Sequence, residues 1–326
     1  METTSWLWAL FTIAAAASQT ARNALQRSLT ERLGTLGATH VRFLYGLPFG
    51  ILFLGIVASV AGLDGLVPSR AWLLWTVAGA VFQITATALM LAAMRERTFV
   101  VTIAYVKTEP VLIAGFGFLF LGEALGAQSL VAIGIATGGV LLMSLPAGFA
   151  KAPAATGPDG APAQKTGNPD GAAIKGSGAL QQLRPAMLGI ASGAMFALSA
   201  VGFRGAIQGL GDAPFYVRST FTLTVALAIQ TALLSAWLFM RNRQVLIEVF
   251  KAWRPSLAAG FSGALASQMW FLAFSIQTAA AVRTLGLVEI LFAQAASRKL
   301  FAQSTTRREG VGIGLMLVGL VLLVSA

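Results

Sequence analysis

Nine charged side chains interrupt long apolar stretches of this sequence: Arg22, Arg27, Arg42, Lys107, Glu109, Arg204, Arg218, Arg283 and Glu289. A charge in such surroundings is costly, so it faces a cavity, a partner or an interface. Glu109 and Glu289 sit in mid-segment. A carboxylate there can bind a substrate ammonium, or take up a proton if burial raises its pKa. The competing reading is an ion pair with an arginine of a neighbouring segment. Lys107 cannot pair with Glu109 along a helix, because residues two apart point away from each other. Arg42 and Arg218 can hold a carboxylate or phosphate through two parallel bonds. They can equally tie helices together or anchor an interface. Arg22, Arg27 and Arg204 are close enough to segment ends to extend towards headgroups. Positive groups outnumber carboxylates in this set, which favours an anionic or zwitterionic solute over a cationic drug. Gln83, Tyr105, Gln268 and Trp270 offer polar and aromatic contacts, or ordinary packing between helices. His40 falls at a segment end and reads as an interfacial residue.

The segments that must position these groups are membrane spans. Of 326 residues, 56% are hydrophobic and 11% charged, with a mean hydropathy of +0.76. A soluble domain could not hide that much apolar surface, whereas a bilayer accepts it. Spanning segments must satisfy their own backbone, as helices or a closed barrel. Runs such as Leu112–Leu121 and Val311–Val324 are continuous rather than alternating, which selects helices. The pattern predicts ten spans. Five lie near 5–29, 38–61, 71–94, 98–122 and 126–146. Five more lie near 186–209, 213–239, 255–277, 280–302 and 309–325. The first is read as a retained span rather than a cleaved leader, because no positive region precedes it.

Residues 147–183 are rich in Gly, Pro, Ala and polar groups. They offer too little apolar surface to offset ordering, so a flexible linker is expected. The halves on either side repeat. Residues 98–145 align with 278–325 at an offset of 180, placing Glu109 on Glu289, Gly134 on Gly314 and Gly139 on Gly319. Val41-Arg42 matches Val217-Arg218, and Arg27 with Leu33-Gly34 matches Arg204 with Leu210-Gly211. Arg283 has no basic counterpart, which makes it a candidate for specificity. Five spans per copy is an odd number, so the second copy enters the membrane inverted. Inverted repeats are common in secondary transporters, with the substrate near the midplane between the halves. Gly134-xxx-Gly138 and Gly310-xxx-Gly314 predict close packing of the last helix of each copy. Lysine and arginine gather in one set of loops and in the linker, which places the linker in the cytoplasm and both termini outside.

The stretch Glu109–Met143, EPVLIAGFGFLFLGEALGAQSLVAIGIATGGVLLM, resembles the end of an EamA repeat. It has a Pro-led helix, an LGE turn and a Gly-rich last helix. The second copy, from Val288 onwards, is similar but carries Ile290 for Pro110 and Ala302-Gln303 for Gly122-Glu123. Arg42 and Arg218 resemble the family's basic residue in the second helix of each repeat, and Arg27 and Arg204 the one ending the first. The resemblance implies an all-α, ten-helix member of the drug/metabolite transporter superfamily. Its domains would be an EamA-like repeat over 5–146, the linker over 147–183 and a second repeat over 184–326. It also implies carriage of small solutes such as amino acids or other metabolites, across the inner membrane of a bacterium.

Other classes fit poorly. There is no cysteine and one histidine, which leaves no disulfide, thiolate chemistry or Cys/His metal cage, and no cofactor is expected. No G-x-x-x-x-G-K-[ST] or G-x-S-x-G sequence occurs, so ATP hydrolysis and serine hydrolase chemistry are not supported. The net charge of +11 reads as loop charge rather than a nucleic-acid surface. Drug efflux, a channel and a membrane scaffold stand as alternatives. The expected partners are the bilayer and a small-molecule substrate, for a monomer or homodimer.

Overall fold

The computed structural model describes residues 6–96, 102, 105–144, 175–292, 294–295 and 307–325. Everything described is helical or connecting; the nearest approach to a sheet is an isolated bridge between Leu66 and Gly211. The helices are α1 (Leu7–Leu44), α2 (Leu47–Ala61), α3 (Arg70–Glu96), α4 (Glu109–Leu121) and α5 (Ala127–Ser144). After the linker come α6 (Lys175–Gln208), α7 (Phe215–Arg241), α8 (Arg243–Lys251), α9 (Trp253–Ile276), α10 (Ala279–Leu285) and α11 (Arg307–Val324). Among the described residues, five stretches are long and apolar enough to cross a membrane: Leu7–Ala61, Arg70–Glu96, Arg184–Gln208, Phe215–Arg241 and Trp253–Ile276. Three shorter apolar helices accompany them: Glu109–Leu121, Ala127–Met143 and Gly310–Val324.

The first stretch is longer than one crossing requires. Gly34, with φ 68° and ψ 175°, breaks its helical path. Its sequence counterpart Gly211 has φ 91°. Both lie in the left-handed region, which glycine enters without steric cost. At Gly211 a Cβ would also stand 2.5 Å from the carbonyl oxygen of Gly65. The two turns therefore share a chemical cause as well as a place in the repeat.

The boundaries differ from expectation at the linker. Residues 147–174 lie outside the described residues. Lys175–Leu183, grouped with the linker by composition, are the first turns of α6. Alanine, leucine and glutamine there have good helical propensity and continue into the apolar span, so the helix extends outward past Pro185.

The halves interlock. α1 lies along α9 and α3 along α6, while α2 packs on α7, α4 on α10 and α5 on α11. The α5–α11 contact is close. A Cβ on Gly139 would come within 2.6 Å of the Gly312 carbonyl, and one on Gly319 within 2.5 Å of the Ala136 amide. Gly312 meets Gly139 and Met143 in the same way. The expected Gly134/Gly138 and Gly310/Gly314 pairs are not the contact. A Cβ on any of these four would meet nothing within 4 Å. The small-residue spacing is present on both faces of these helices, and spacing alone did not say which face turns inward.

Gly139→Leu or Gly319→Leu should therefore lower thermal stability in detergent by roughly the 1–3 kcal/mol typical of overpacking. Gly134→Leu and Gly314→Leu should be near neutral. Temperature-dependent size-exclusion profiles of the four variants would separate the two faces.

Candidate functional site

α1 presents Gln19, Arg22, Asn23 and Gln26 at three- and four-residue intervals, so one polar stripe runs along an apolar helix. All four are buried. α9 and α10 close over that stripe. After α10 the chain tightens into a 3-10 turn, Gly286–Val288, before Glu289. The turn needs glycine, since a Cβ on Gly286 would lie 2.5 Å from the Trp270 ring. It places Arg283 and Glu289 on either side of one bend.

Glu289 is 1% exposed and accepts from three side chains. Gln19 Nε2 donates to Oε2 at 2.8 Å and Asn23 Nδ2 to Oε1 at 2.9 Å. Lys107 Nζ approaches Oε2 at 2.5 Å. Glu109, equally buried, accepts from Arg283 Nε at 2.6 Å and lies 2.5 Å from its Nη2. Both carboxylates are thus ion-paired between helices. Lys107 lies in the turn before α4, and from there it pairs with Glu289 of the other half rather than with its near neighbour Glu109. The Arg283 guanidinium also stacks 4.4 Å from the Trp270 ring, and Trp270 Nε1 donates to Gln19 Oε1 at 3.0 Å. One network therefore links α1, α4, α9 and α10.

Two adjoining cavities meet at this network and share Gln19, Phe196 and Arg283. The first has about 330 Å³ of empty volume, including its open side. Arg42, Gln83, Ser267 and a wall of Phe203, Trp270, Phe271 and Phe274 complete it. The second, of about 220 Å³, is lined by Arg22, Asn23, Lys107, Glu109 and Glu289. Both are tight.

Six of the ten residues singled out from sequence therefore come together: Arg42, Gln83, Glu109, Trp270, Arg283 and Glu289. Four line neither cavity. Arg204 is tied to Glu123 of the LGE turn and to the carbonyls of Phe274 and Gln277. Arg218 reaches the carbonyls of Ile207 and Gly211 at 3.5 and 3.4 Å, at the end of α6. Gln268 Nε2 donates to Thr220 Oγ1 at 2.9 Å. Tyr105 packs on Gly189. Gln83 accepts from Gln230 at its rim position.

Arg22 corrects the sequence reading most. It is 1% exposed and points inward, not towards an interface. Arg27 is exposed, as expected of a residue near a span end. Gln19 and Asn23 escaped notice because neither is charged. Their signal was the polar periodicity of the first span.

Residues 6–145 match the EamA-like transporter family model. That first part of the chain is similar to the family. The EamA match covers the helices that carry Arg22, Arg42, Gln83 and Glu109. No curated protein matches the sequence significantly. A solved crystal structure of a protein aligns with 97% of this chain and 94% of its own, with a TM-score of 0.64 and 14% identity. At that identity the likeness is one of fold.

Truncating one member of a buried ion pair leaves the other charge uncompensated, at a cost of about 3–5 kcal/mol. Arg283→Ala and Glu109→Ala should each destabilise the detergent-purified protein strongly. The double variant should be more stable than the sum of single losses implies. A thermal double-mutant cycle that came out additive would mean the pair is not formed.

Proposed function

We propose that this protein is a secondary transporter, an exporter of small metabolites such as amino acids or related zwitterionic or anionic solutes. It would work in a bacterial inner membrane, with no cofactor. The observation that carries this reading is the set of buried charges around a narrow cavity between helices of both halves. Gln19, Arg42 and Gln83 come from the first half, and Phe196, Ser267, Trp270 and Arg283 from the second.

Ten spans in two inverted five-helix repeats, over 5–146 and 184–326, account best for the helix pairing. Numbered within each repeat, the first helix of one packs on the third of the other in both directions. The second, fourth and fifth each pack on their own counterpart. A pseudo-two-fold axis in the membrane plane produces that reciprocity. Transport would follow from rocking one repeat against the other. The cavity must widen to admit a solute, and separation of the interlocked halves is the motion that widens it. A permanently open channel finds no support in so tight a space.

Cationic drugs are disfavoured. Both carboxylates are already engaged, Glu109 by Arg283 and Glu289 by three donors.

Reconstituted protein should therefore catalyse saturable counterflow of a small amino acid, carboxylate or phosphate ester. Arg42→Ala should reduce uptake at least tenfold while leaving the protein monodisperse. Flux linear in concentration would indicate a channel, and none with any solute a scaffold. The loop charges also place both termini outside, so a reporter fused to Ala326 that is active only in the cytoplasm should stay dark.

A further inference from the structure

Four cations surround the two cavities, Arg22, Arg42, Lys107 and Arg283, and all are buried. Lys107 and Arg283 are matched by Glu289 and Glu109. Arg22 and Arg42 form no ion pair among the described residues. Arg22 donates through Nε and Nη2 to the neutral amide oxygen of Asn23, and its Nη1 finds no partner among the described residues. Arg42 donates to the hydroxyls of Thr87 at 2.9 Å and Ser267 at 3.4 Å, and its Nε finds no partner among the described residues. Neutral acceptors orient these groups without cancelling their charge. A guanidinium cannot shed its proton to escape the problem.

The two side chains also flank one glycine. A Cβ on Gly263 of α9 would lie 3.3 Å from Arg22 Cδ and 3.3 Å from Arg42 Cγ. Two atoms each 3.3 Å from one point are at most 6.6 Å apart. Two like charges on adjacent stems in a site of low dielectric repel strongly and call for an anion.

We infer that the transported ligand carries two negative charges on oxygen, held jointly by Arg22 and Arg42 above Gly263. This rests on the transporter reading for how the ligand reaches the site. Two unmatched positive charges are neutralised by one dianion, whereas a monoanion leaves one over. An amino acid brings an ammonium that would need a carboxylate, and neither Glu109 nor Glu289 is free to supply one. Dicarboxylates and phosphate monoesters share the required chemistry. Arginine's fixed fork of donors suits both. The aromatic wall beside Arg42 would cover the ligand's uncharged body.

The test uses the full chain in detergent, at constant ionic strength. Succinate and glycerol phosphate are titrated against acetate, chloride and alanine by thermal shift, then assayed for counterflow in liposomes. At least one dianion should raise Tm saturably where acetate, chloride and alanine do not. Arg22→Gln and Arg42→Gln should each weaken its apparent affinity roughly tenfold or more, the scale of one charge-assisted bond. Gly263→Ala, which keeps both charges but crowds both stems, should weaken it too. Exposed Arg95→Gln should not. Equal shifts from chloride, or unchanged affinity in both glutamine variants, would overturn the inference. If the variants do not fold, the wild-type comparison of dianion with chloride decides alone. Saturable counterflow of alanine with no response to either dianion defeats the inference and leaves the transporter reading standing. Dianion binding without flux of any solute does the reverse.

Discussion

A charge sealed inside a membrane protein must be met by groups that replace its lost water. The centre of this protein is organised by that requirement. Glu289 draws donors from α1 and from the turn before α4. Glu109, at the start of α4, draws Arg283 from α10. Every one of these bonds joins a residue of the first half to one of the second, so each closes only when the halves are docked. Hydrophobic burial brings the helices together without specifying their register. The polar network adds that specification, because a shift of one helical turn would strand a carboxylate. The Gly286–Val288 bend is part of the same device, since it lets one short stretch contribute a cation on one side and an anion on the other.

Trp270 shows how packing and electrostatics are joined. Its ring fills the space left by Gly286, stacks on the Arg283 guanidinium and donates through Nε1 to Gln19. The aromatic face excludes water from the Arg283–Glu109 pair, which strengthens that pair. It also fixes the guanidinium, which lines both cavities. An aromatic side chain of another shape could fill part of this space, but only the indole supplies both an extended face and a donor at its rim.

Much of this architecture could be read from residue patterns, and the reasons differ by level. Hydropathy located the helices because every backbone group in a bilayer must be bonded within its own segment. The repeat alignment located Gly34 and Gly211, whose backbone conformations turn out alike. It also singled out Glu109 and Glu289, because a carboxylate in an apolar run has few innocent uses. Burial direction was less legible. Arg22 and Arg27 are five residues apart at one end of the same span, yet one is buried and the other exposed. Their rotational phase decides this, and phase was visible only through the neutral residues Gln19, Asn23 and Gln26. The same ambiguity misassigned the glycines of α5 and α11. Both faces of each helix carry small residues, and the contact partner chooses between them.

The limits of the repeat as a guide are also physical. Arg42 and Arg218 occupy matching sequence positions, but Arg42 turns inward to Thr87 and Ser267 while Arg218 turns to the carbonyls that end α6. Glu109 meets an arginine and Glu289 a lysine with two amides. The proposed repeats would supply two similar scaffolds, and a scaffold needs symmetry only where helices pack. A binding site gains nothing from symmetry, because a small solute has a charged end and an uncharged end. The side chains at the centre are therefore where the halves should diverge most. Divergence concentrated at Arg42, Arg283 and their neighbours is what a site for an asymmetric, negatively charged ligand requires.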